Sequence, residues 1–563
     1  MKLCSVFFLL LGMFPAVQAG EGKPRFTVSF SAEQSARPLD GRLLLLISND
    51  DSREPRFQIQ EYGLNSQLVF GMDVEGLKPG QKAVFDGSAF GYPLTSLHQI
   101  PDGEYQVQAL LHRYETFNRA DGATLKLPMN RGAGQSWNRA PGNLLSTPQT
   151  VRFSASGPDG FHIELDRVIP PIPKPKDTKY IKHIKIRNER LSKFWGRDIH
   201  LGAVLLLPEG YDEHPQARYP LVINHGHFPY TFRGFSEKPP EAGLNDRAHS
   251  RAVAAHAFYQ RWTGPDFPRV IVMLIQHANP YYDDSYAVNT ANLGPYGDAI
   301  TYDLVPYVEK TFRGMGQSWA RTLYGGSTGG WESVAATIYY PDEYNGCWAA
   351  CPDSLDFRAY QTVNLYEDSN AYFSKSHWKK TARPGVRNHL GHVKATLQEM
   401  SYCELALGSK GRSGQQLDIF QAVYGPLGQD GYPKPIWDKL TGEIDKDVAA
   451  YWKENYDLSY ILRRDAATLT EKLAGKIRIY MGDMDTFYLN NATYLLDDYF
   501  KTEGSDYRAQ VYFGDREVHC WSGDQIDPKT GRRMGYHSFF IPKMVDHMLK
   551  TAPKGADTTS WRY

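Results

Sequence analysis

The sequence predicts an α/β protein with a small all-β region in front of it. Three observations carry this reading. Short apolar or alternating runs broken by turn signals fill residues 25–168. A proline-rich stretch, Ile169 to Thr178 (IPPIPKPKDT), follows them. From Lys179 onward, strand-like apolar runs alternate with longer helical patterns, the signature of a mostly parallel sheet covered by helices. The length, 563 residues, exceeds what one hydrophobic core serves, so at least two domains are expected.

Taken in chain order, residues 1–19 read as a secretory signal. Lys2 supplies the positive start, Val6 to Phe14 the apolar run, and Val17 and Ala19 the small residues before cleavage at Gly20. The run is far short of the ~20 residues that span a bilayer, and no later stretch approaches that length. The expectation is a secreted or periplasmic protein without a membrane span.

Residues 20–168 are expected to form an antiparallel, sandwich-like β domain. Its runs are Arg25–Phe30, Arg42–Ile47, Tyr105–His112 and Thr150–Ala155, punctuated by Pro79-Gly80, Asp102-Gly103 and Pro158-Asp159-Gly160. No catalytic constellation stands out in it, so it reads as a structural or binding appendage. The four prolines of 169–178 fix φ and remove donors, which makes a stiff linker. Residues 179–552 are expected to form the α/β unit and 553–563 a tail. Its strands are Ala203–Leu207, Leu221–Asn224, Val270–Ile275, Thr322–Tyr324, Gly346–Ala350, Lys476–Met481 and Ala509–Phe513. A helix-rich stretch at about 355–470 interrupts the alternation and reads as a cap over one end of the sheet.

Composition excludes several classes. Lys plus Arg and Asp plus Glu number 63 each, so no bulk charge favours nucleic acid or an anionic membrane. With 41% hydrophobic and 22% charged residues, the chain is not wholesale disordered. Cys4 precedes the apolar run; Cys347, Cys351, Cys403 and Cys520 are too sparse for a disulfide framework and too scattered for a zinc site. One or two disulfides fit an oxidising compartment. Cys347 and Cys351 on one strand would stand about 13 Å apart and could not pair with each other.

The most informative stretch is Tyr324-Gly325-Gly326-Ser327-Thr328-Gly329-Gly330-Trp331, which contains Gly-x-Ser-x-Gly. A β-prone run precedes it, and Trp331, Val334, Ala335 and Ile338 follow on one helical face. Strand, sharp turn and helix are the setting of a nucleophile elbow. Glycines let strand and helix pass closely, and the first helical N–H groups face the place where negative charge develops. An ordinary glycine-rich turn is the plainer reading. Upstream, Tyr219–Asn224 runs into His225-Gly226-His227-Phe228, where an oxyanion-hole donor belongs. The backbone N–H of Thr328, with one from Gly226 or His227, is the expected pair. His225 and His227 otherwise read as packing residues; no third ligand at useful spacing points to a metal.

A serine hydroxyl needs a base oriented by a carboxylate. The strand Lys476–Met481 ends in Gly482-Asp483-Met484-Asp485, which makes Asp485 the first candidate acid and Asp483 the second. Either aspartate also suits a turn or a helix cap. Ala509–Phe513 is followed by His519-Cys520-Trp521, which places His519 on the loop after the last strand as candidate base. His537 and His547 are rivals that fall in the terminal helix.

Together these residues resemble the putative esterase family of α/β hydrolases, which holds enterochelin esterase-like and feruloyl or acetylxylan esterase-like enzymes. The carriers span roughly residues 180–550: Leu191-Ser192-Lys193-Phe194-Trp195-Gly196-Arg197, Leu207-Pro208-Glu209-Gly210-Tyr211, Tyr219-Pro220, the Ser327 elbow, Gly482-Asp483-Met484-Asp485 and His519-Cys520-Trp521. The resemblance implies an α/β-hydrolase fold, Ser327 as nucleophile, Asp485 as acid and His519 as base. It also implies that Gly294-Pro295-Tyr296-Gly297-Asp298, before a helix over Ala299–Phe312, borders the site. Some feruloyl esterases and tannases join a cysteine beside the serine to one beside the histidine. Here Gly326 precedes Ser327, so that version is absent.

The expected activity is ester cleavage by an exported serine hydrolase that needs no cofactor, acting on a small-molecule or polysaccharide-linked ester. A prolyl oligopeptidase-like peptidase is one alternative, although about 145 residues cannot hold a seven-bladed propeller at ~40–50 residues per blade. A non-catalytic binding protein on a hydrolase fold is the other.

Overall fold

The computed structural model describes residues 25–154, 160–523, 526–527 and 532–563. The expected signal segment, residues 1–19, lies outside them, as do Ala155, Pro158 and Asp159.

Two sheets build the N-terminal region. Arg25–Phe30 pairs with Gly160–Leu165 and Ala83–Phe85 in one. In the other, Leu39–Ser48 lies between Leu68–Leu77 and the long strand Gly103–Asn118. The run Leu43-Leu44-Leu45-Leu46-Ile47 is apolar without alternation because both faces of its strand are buried. Leu43, Leu45 and Ile47 face the core shared with Phe26, Val28 and Phe30. Leu44 and Leu46 face the other way, onto Cys403, Ala406 and Leu407. The expectation of a wholly antiparallel region fails at one pair: Arg25–Phe30 and Gly160–Leu165 run parallel, with Val28 opposite Ile163. More than a hundred residues separate these strands, so no hairpin forces them antiparallel.

Nor is this region a detached appendage. Arg42, buried in its large sheet, donates to the carbonyls of Leu405 at 2.8 Å and Ala406 at 2.9 Å, at the end of the helix Leu397–Leu407. Charged donors suit the orphan carbonyls of a helix end. Residues 169–178 carry no regular element and are largely exposed.

The second unit is an eight-stranded sheet: β1 (Ile181–Arg187), β2 (His200–Leu206), β3 (Leu221–Asn224), β4 (Ile271–Gln276), β5 (Arg321–Gly326), β6 (Cys347–Ala350), β7 (Ile477–Gly482) and β8 (Gln510–Gly514). The order is β1-β2-β4-β3-β5-β6-β7-β8. β2 is antiparallel to both its neighbours, and β3 through β8 run parallel. Val222, Ile223, Leu323 and Tyr324 are fully buried, as strands covered on both faces require. Helix α1 (Asp246–Trp262) follows β3, α2 (Thr328–Tyr339) follows β5, α3 (Asn490–Lys501) follows β7 and α4 (Tyr536–Thr551) follows β8. This is the α/β-hydrolase-like arrangement, with a β-rich region before it.

Two details differ from the sequence reading. The edge strand β1 was not among the expected runs. The expected single helix over Ala299–Phe312 is a π-helical stretch, Ala299–Leu304, leading into an α-helix, Val305–Thr311. Residues 355–470 hold the helices Leu397–Leu407, Gln416–Tyr424, Lys446–Tyr456 and Leu458–Arg464. They also hold two small hairpins, Phe373–Lys375 with Lys380–Ala382 and Pro384–Arg387 with Val393–Thr396. Among the described residues no helix is long and apolar enough to cross a membrane.

Candidate active site

Ser327 sits between β5 and α2 with φ 58° and ψ −124°, a backbone state that a serine adopts at a cost of about 1–3 kcal/mol. The glycines around it are required by contact. A Cβ on Gly329 would lie 2.1 Å from the carbonyl oxygen of His225, so the turn after β3 and the start of α2 touch through backbone alone. The same position lies 2.9 Å from the amide nitrogen of Gly226, which puts that group beside the elbow. The first N–H groups of α2, Thr328 foremost, have no intrahelical acceptor. The Gly226 amide is thus at the Ser327 end of α2, beside Thr328.

Three side chains distant in sequence meet there. Ser327 Oγ lies 2.9 Å from His519 Nε2, and His519 Nδ1 lies 2.7 Å from Asp485 Oδ2. Asp485 is fully buried, and its other oxygen accepts from the N–H groups of Phe487 at 2.8 Å and Leu489 at 3.3 Å. Asp485 follows the end of β7 in the sheet, and His519 follows β8. Burial disfavours charge on His519, but the Asp485 carboxylate, with Cys520, holds its pKa well above the ordinary histidine value.

The other candidates lie elsewhere. Asp483 donates its N–H to Gly514, and its carboxylate is not on His519. His537 packs on Phe232 and Phe258 and bonds Tyr324 at 2.5 Å, while His547 bonds Arg478 and the carbonyl of Asn345. Both fall in α4, and burial pushes each down to about 4. His225 is buried 3.6 Å from Glu332, and burial pushes it to about 3, so it is neutral. His227 contacts Asp283 and Asp284 at 3.1 Å each; although burial opposes it, the two carboxylates raise its pKa well above the ordinary value.

The segment Gly294–Asp298 is tied to two different places: Tyr296 donates to the carbonyl of Ala278 at 3.4 Å. Asp298 accepts from Tyr340, the residue after the last turn of α2, at 2.9 Å.

Sequence reasoning missed several neighbours because long-range folding alone brings them in. Asp353 Oδ1 lies 3.5 Å from Ser327 Oγ, and Asp353 Oδ2 accepts from Tyr286 at 2.7 Å. Burial raises the Asp353 pKa. Phe487 packs edge-on against His519, with centroids 4.8 Å apart. Cys351, just past β6, has its sulfur within 4.8 Å of the Cys520 sulfur and of the His519 ring. All four described cysteines are free thiols. A side chain at Gly326 would meet the Tyr536 hydroxyl at 2.3 Å, so the residue before Ser327 has no room for a cysteine.

Among the described residues, two groups have donor atoms close enough to hold a metal: Cys351 with His519 and Cys520, and His227 with Asp283 and Asp284. In the first, both His519 nitrogens already face Ser327 and Asp485. In the second, one His227 nitrogen is shared between two carboxylates. The hydrogen-bonded line of hydroxyl, imidazole and carboxylate can carry acyl transfer without either.

A search among curated proteins finds no significant match. Similar solved structures include a ferulic acid esterase, 12% identical over 65% of this chain and 98% of that one, with a TM-score of 0.33. An S-formylglutathione hydrolase from Agrobacterium tumefaciens is 11% identical over 66% of this chain and 97% of that one, with a TM-score of 0.31. A ferulic acid esterase from Anaeromyces mucronatus is 12% identical over 62% and 89%, with a TM-score of 0.24. The family model described as putative esterase matches residues 192–524, more than half of the sequence. The chain therefore belongs to the putative esterase family of ester-cleaving hydrolases.

Proposed function

We propose that the protein is an exported serine esterase using Ser327, His519 and Asp485. Ser327 attacks the ester carbonyl while His519 takes its proton; His519 returns that proton to the leaving alcohol, and an acyl-enzyme remains. Water, deprotonated by His519, then releases the acid. Asp485 orients the ring and stabilises its charged form. The N–H of Thr328, with that of Gly226 or His227, holds the oxyanion. Residues 355–470 cap the site, and residues 1–19 direct export.

One observation carries the reading: the His519 ring lies within hydrogen-bond reach of both Ser327 and Asp485. Ester groups on polysaccharides or plant phenolics fit the family. Replacing Ser327 by alanine should lower p-nitrophenyl acetate turnover by at least about a thousandfold. Retained turnover in a folded sample would overturn the assignment, and cleavage of peptide amides with little action on esters would favour a peptidase.

A further inference from the structure

We propose that the hairpin formed by Phe373–Lys375 and Lys380–Ala382 is a docking surface for an anionic polysaccharide, a chain of uronate sugars. The claim concerns binding and does not depend on Ser327.

The sequence around this hairpin is one-sided in charge. From Ser369 to Gln398 it holds Lys375, Lys379, Lys380, Arg383, Arg387 and Lys394 and no aspartate or glutamate, in a chain whose 63 basic and 63 acidic residues balance. The two arginines are engaged. Arg383 pairs with Asp368 at 2.7 Å, and Arg387 donates to the carbonyl of Asp485 at 2.9 Å. Lys375, Lys379 and Lys380 are exposed and form no ion pair among the described residues. Lys375 stands directly opposite Lys380 in the register of the hairpin. Like charges so placed destabilise a strand pair, and two strands of three residues have little stability of their own. A ring rather than a carboxylate steadies Lys380, whose ammonium lies 3.6 Å from the centre of Phe373. A bound polyanion would neutralise the pair.

Between the two strands the chain presents an aromatic ring to solvent. Trp378 is 98% exposed. Its turn is closed by two hydrogen bonds: Ser376 donates its N–H to the Lys379 carbonyl at 2.8 Å, and the Ser376 hydroxyl oxygen accepts from the Lys379 N–H at 3.2 Å. A uronate chain suits both features. Its sugar rings have apolar C–H faces that stack on an indole, and its carboxylates, repeated along the chain, pair with ammonium groups. A lipid bilayer suits them less. Ser374, Ser376, His377 and Thr381 flank the single ring in sequence, and interfacial binding grows with buried apolar area.

The surface also stands in a fixed relation to the candidate site. The hairpin runs through Arg383 directly into Pro384–Arg387. Arg387 is pinned to the loop that carries Asp485, through its side chain on the Asp485 carbonyl and its N–H on the carbonyl of Thr486 at 2.9 Å. Nine residues separate Trp378 from Arg387 and span at most about 30 Å.

Binding of polygalacturonate, with neutral dextran as the control, tests the surface. In about 0.1 M salt the wild type should bind polygalacturonate at least about tenfold more tightly than dextran. The triple variant Lys375→Gln/Lys379→Gln/Lys380→Gln should lose about tenfold in affinity. Trp378→Ala, which leaves the charge unchanged, should also lose about tenfold. Both variants should keep the wild-type melting temperature and the wild-type turnover of p-nitrophenyl acetate. Equal affinity for the two polymers, or wild-type affinity in the triple variant, would overturn the proposal. Wild-type affinity in Trp378→Ala would reduce the effect to bulk charge and overturn it as well. Tighter binding to phosphatidylglycerol vesicles than to polygalacturonate would assign the surface to a membrane instead. Failure of the serine reading would show separately, as absent turnover with binding intact.

Discussion

The ring of Tyr62 meets the ring of Phe487 edge-on at 5.2 Å. Tyr62 comes from the N-terminal region, and Phe487 packs in turn on His519 at 4.8 Å. The β-rich region thus supports the ring that holds the candidate base in place. Aromatic pairs of this kind contribute about 0.5–1.5 kcal/mol beyond area burial. Tyr62→Ala should lower kcat for p-nitrophenyl acetate by about threefold to tenfold, with Tyr62→Phe close to wild type. An unchanged kcat for Tyr62→Ala would show that the contact does not position His519.

The pH dependence follows from the neighbours of His519. Only its neutral ring can accept the Ser327 proton, so activity falls as pH drops through its pKa. Burial lowers that pKa, but Asp485 and Cys520 raise it well above the ordinary value of about 6.5. The acid limb of kcat/KM should therefore lie on the alkaline side of an ordinary histidine. Cys520→Ser removes one raising contribution and should move the limb to lower pH. A limb that stays in place would exclude any coupling between the two side chains.

Thiol reactivity gives a separate check. Cys520 is exposed, and a hydrogen bond from Cys351 together with the charge of His519 holds its pKa well below the ordinary thiol value. Burial raises Cys347, Cys351 and Cys403 instead. Iodoacetamide should label Cys520 first, as read by peptide mass spectrometry, and turnover should fall in step. Labelling of Cys347 or Cys403 before Cys520 would contradict the assigned environments.

The elbow contact at Gly329 predicts a strong effect from one methyl group. Gly329→Ala must move the His225 carbonyl and, with it, the Gly226 amide. It should destabilise the fold by about 1–3 kcal/mol and lower kcat about a hundredfold through the displaced oxyanion donor. Wild-type kcat and melting temperature in this variant would show that the two backbones do not need their close approach.

Much of this was legible in the sequence because it is local. Gly-Gly-Ser-Thr-Gly-Gly between a β-prone run and a helical face specifies a turn without help from distant residues. Asp485 and His519 each follow a short apolar strand by a few residues, so their placement at one sheet end comes with the parallel order of β5, β7 and β8. Asp353, Cys351 and Tyr62 carry no such local mark. Asp353 reaches Ser327 because β6 lies beside β5, with Ala350 opposite Gly326. Tyr62 arrives on the loop between Leu39–Ser48 and Leu68–Leu77 of the N-terminal region. The parallel pairing of Arg25–Phe30 escaped for the same reason, since period-two patterning is identical in parallel and antiparallel strands. The Gly294–Asp298 expectation came from resemblance alone, with no local mark of its own.

Intact-mass measurement after treatment with a fluorophosphonate tests the central claim most directly. The wild type should gain one phosphonyl group on Ser327, Ser327→Ala none, and His519→Asn should react at least about a hundredfold more slowly. A folded wild type that stays unlabelled, or equal labelling of Ser327→Ala, would contradict the account.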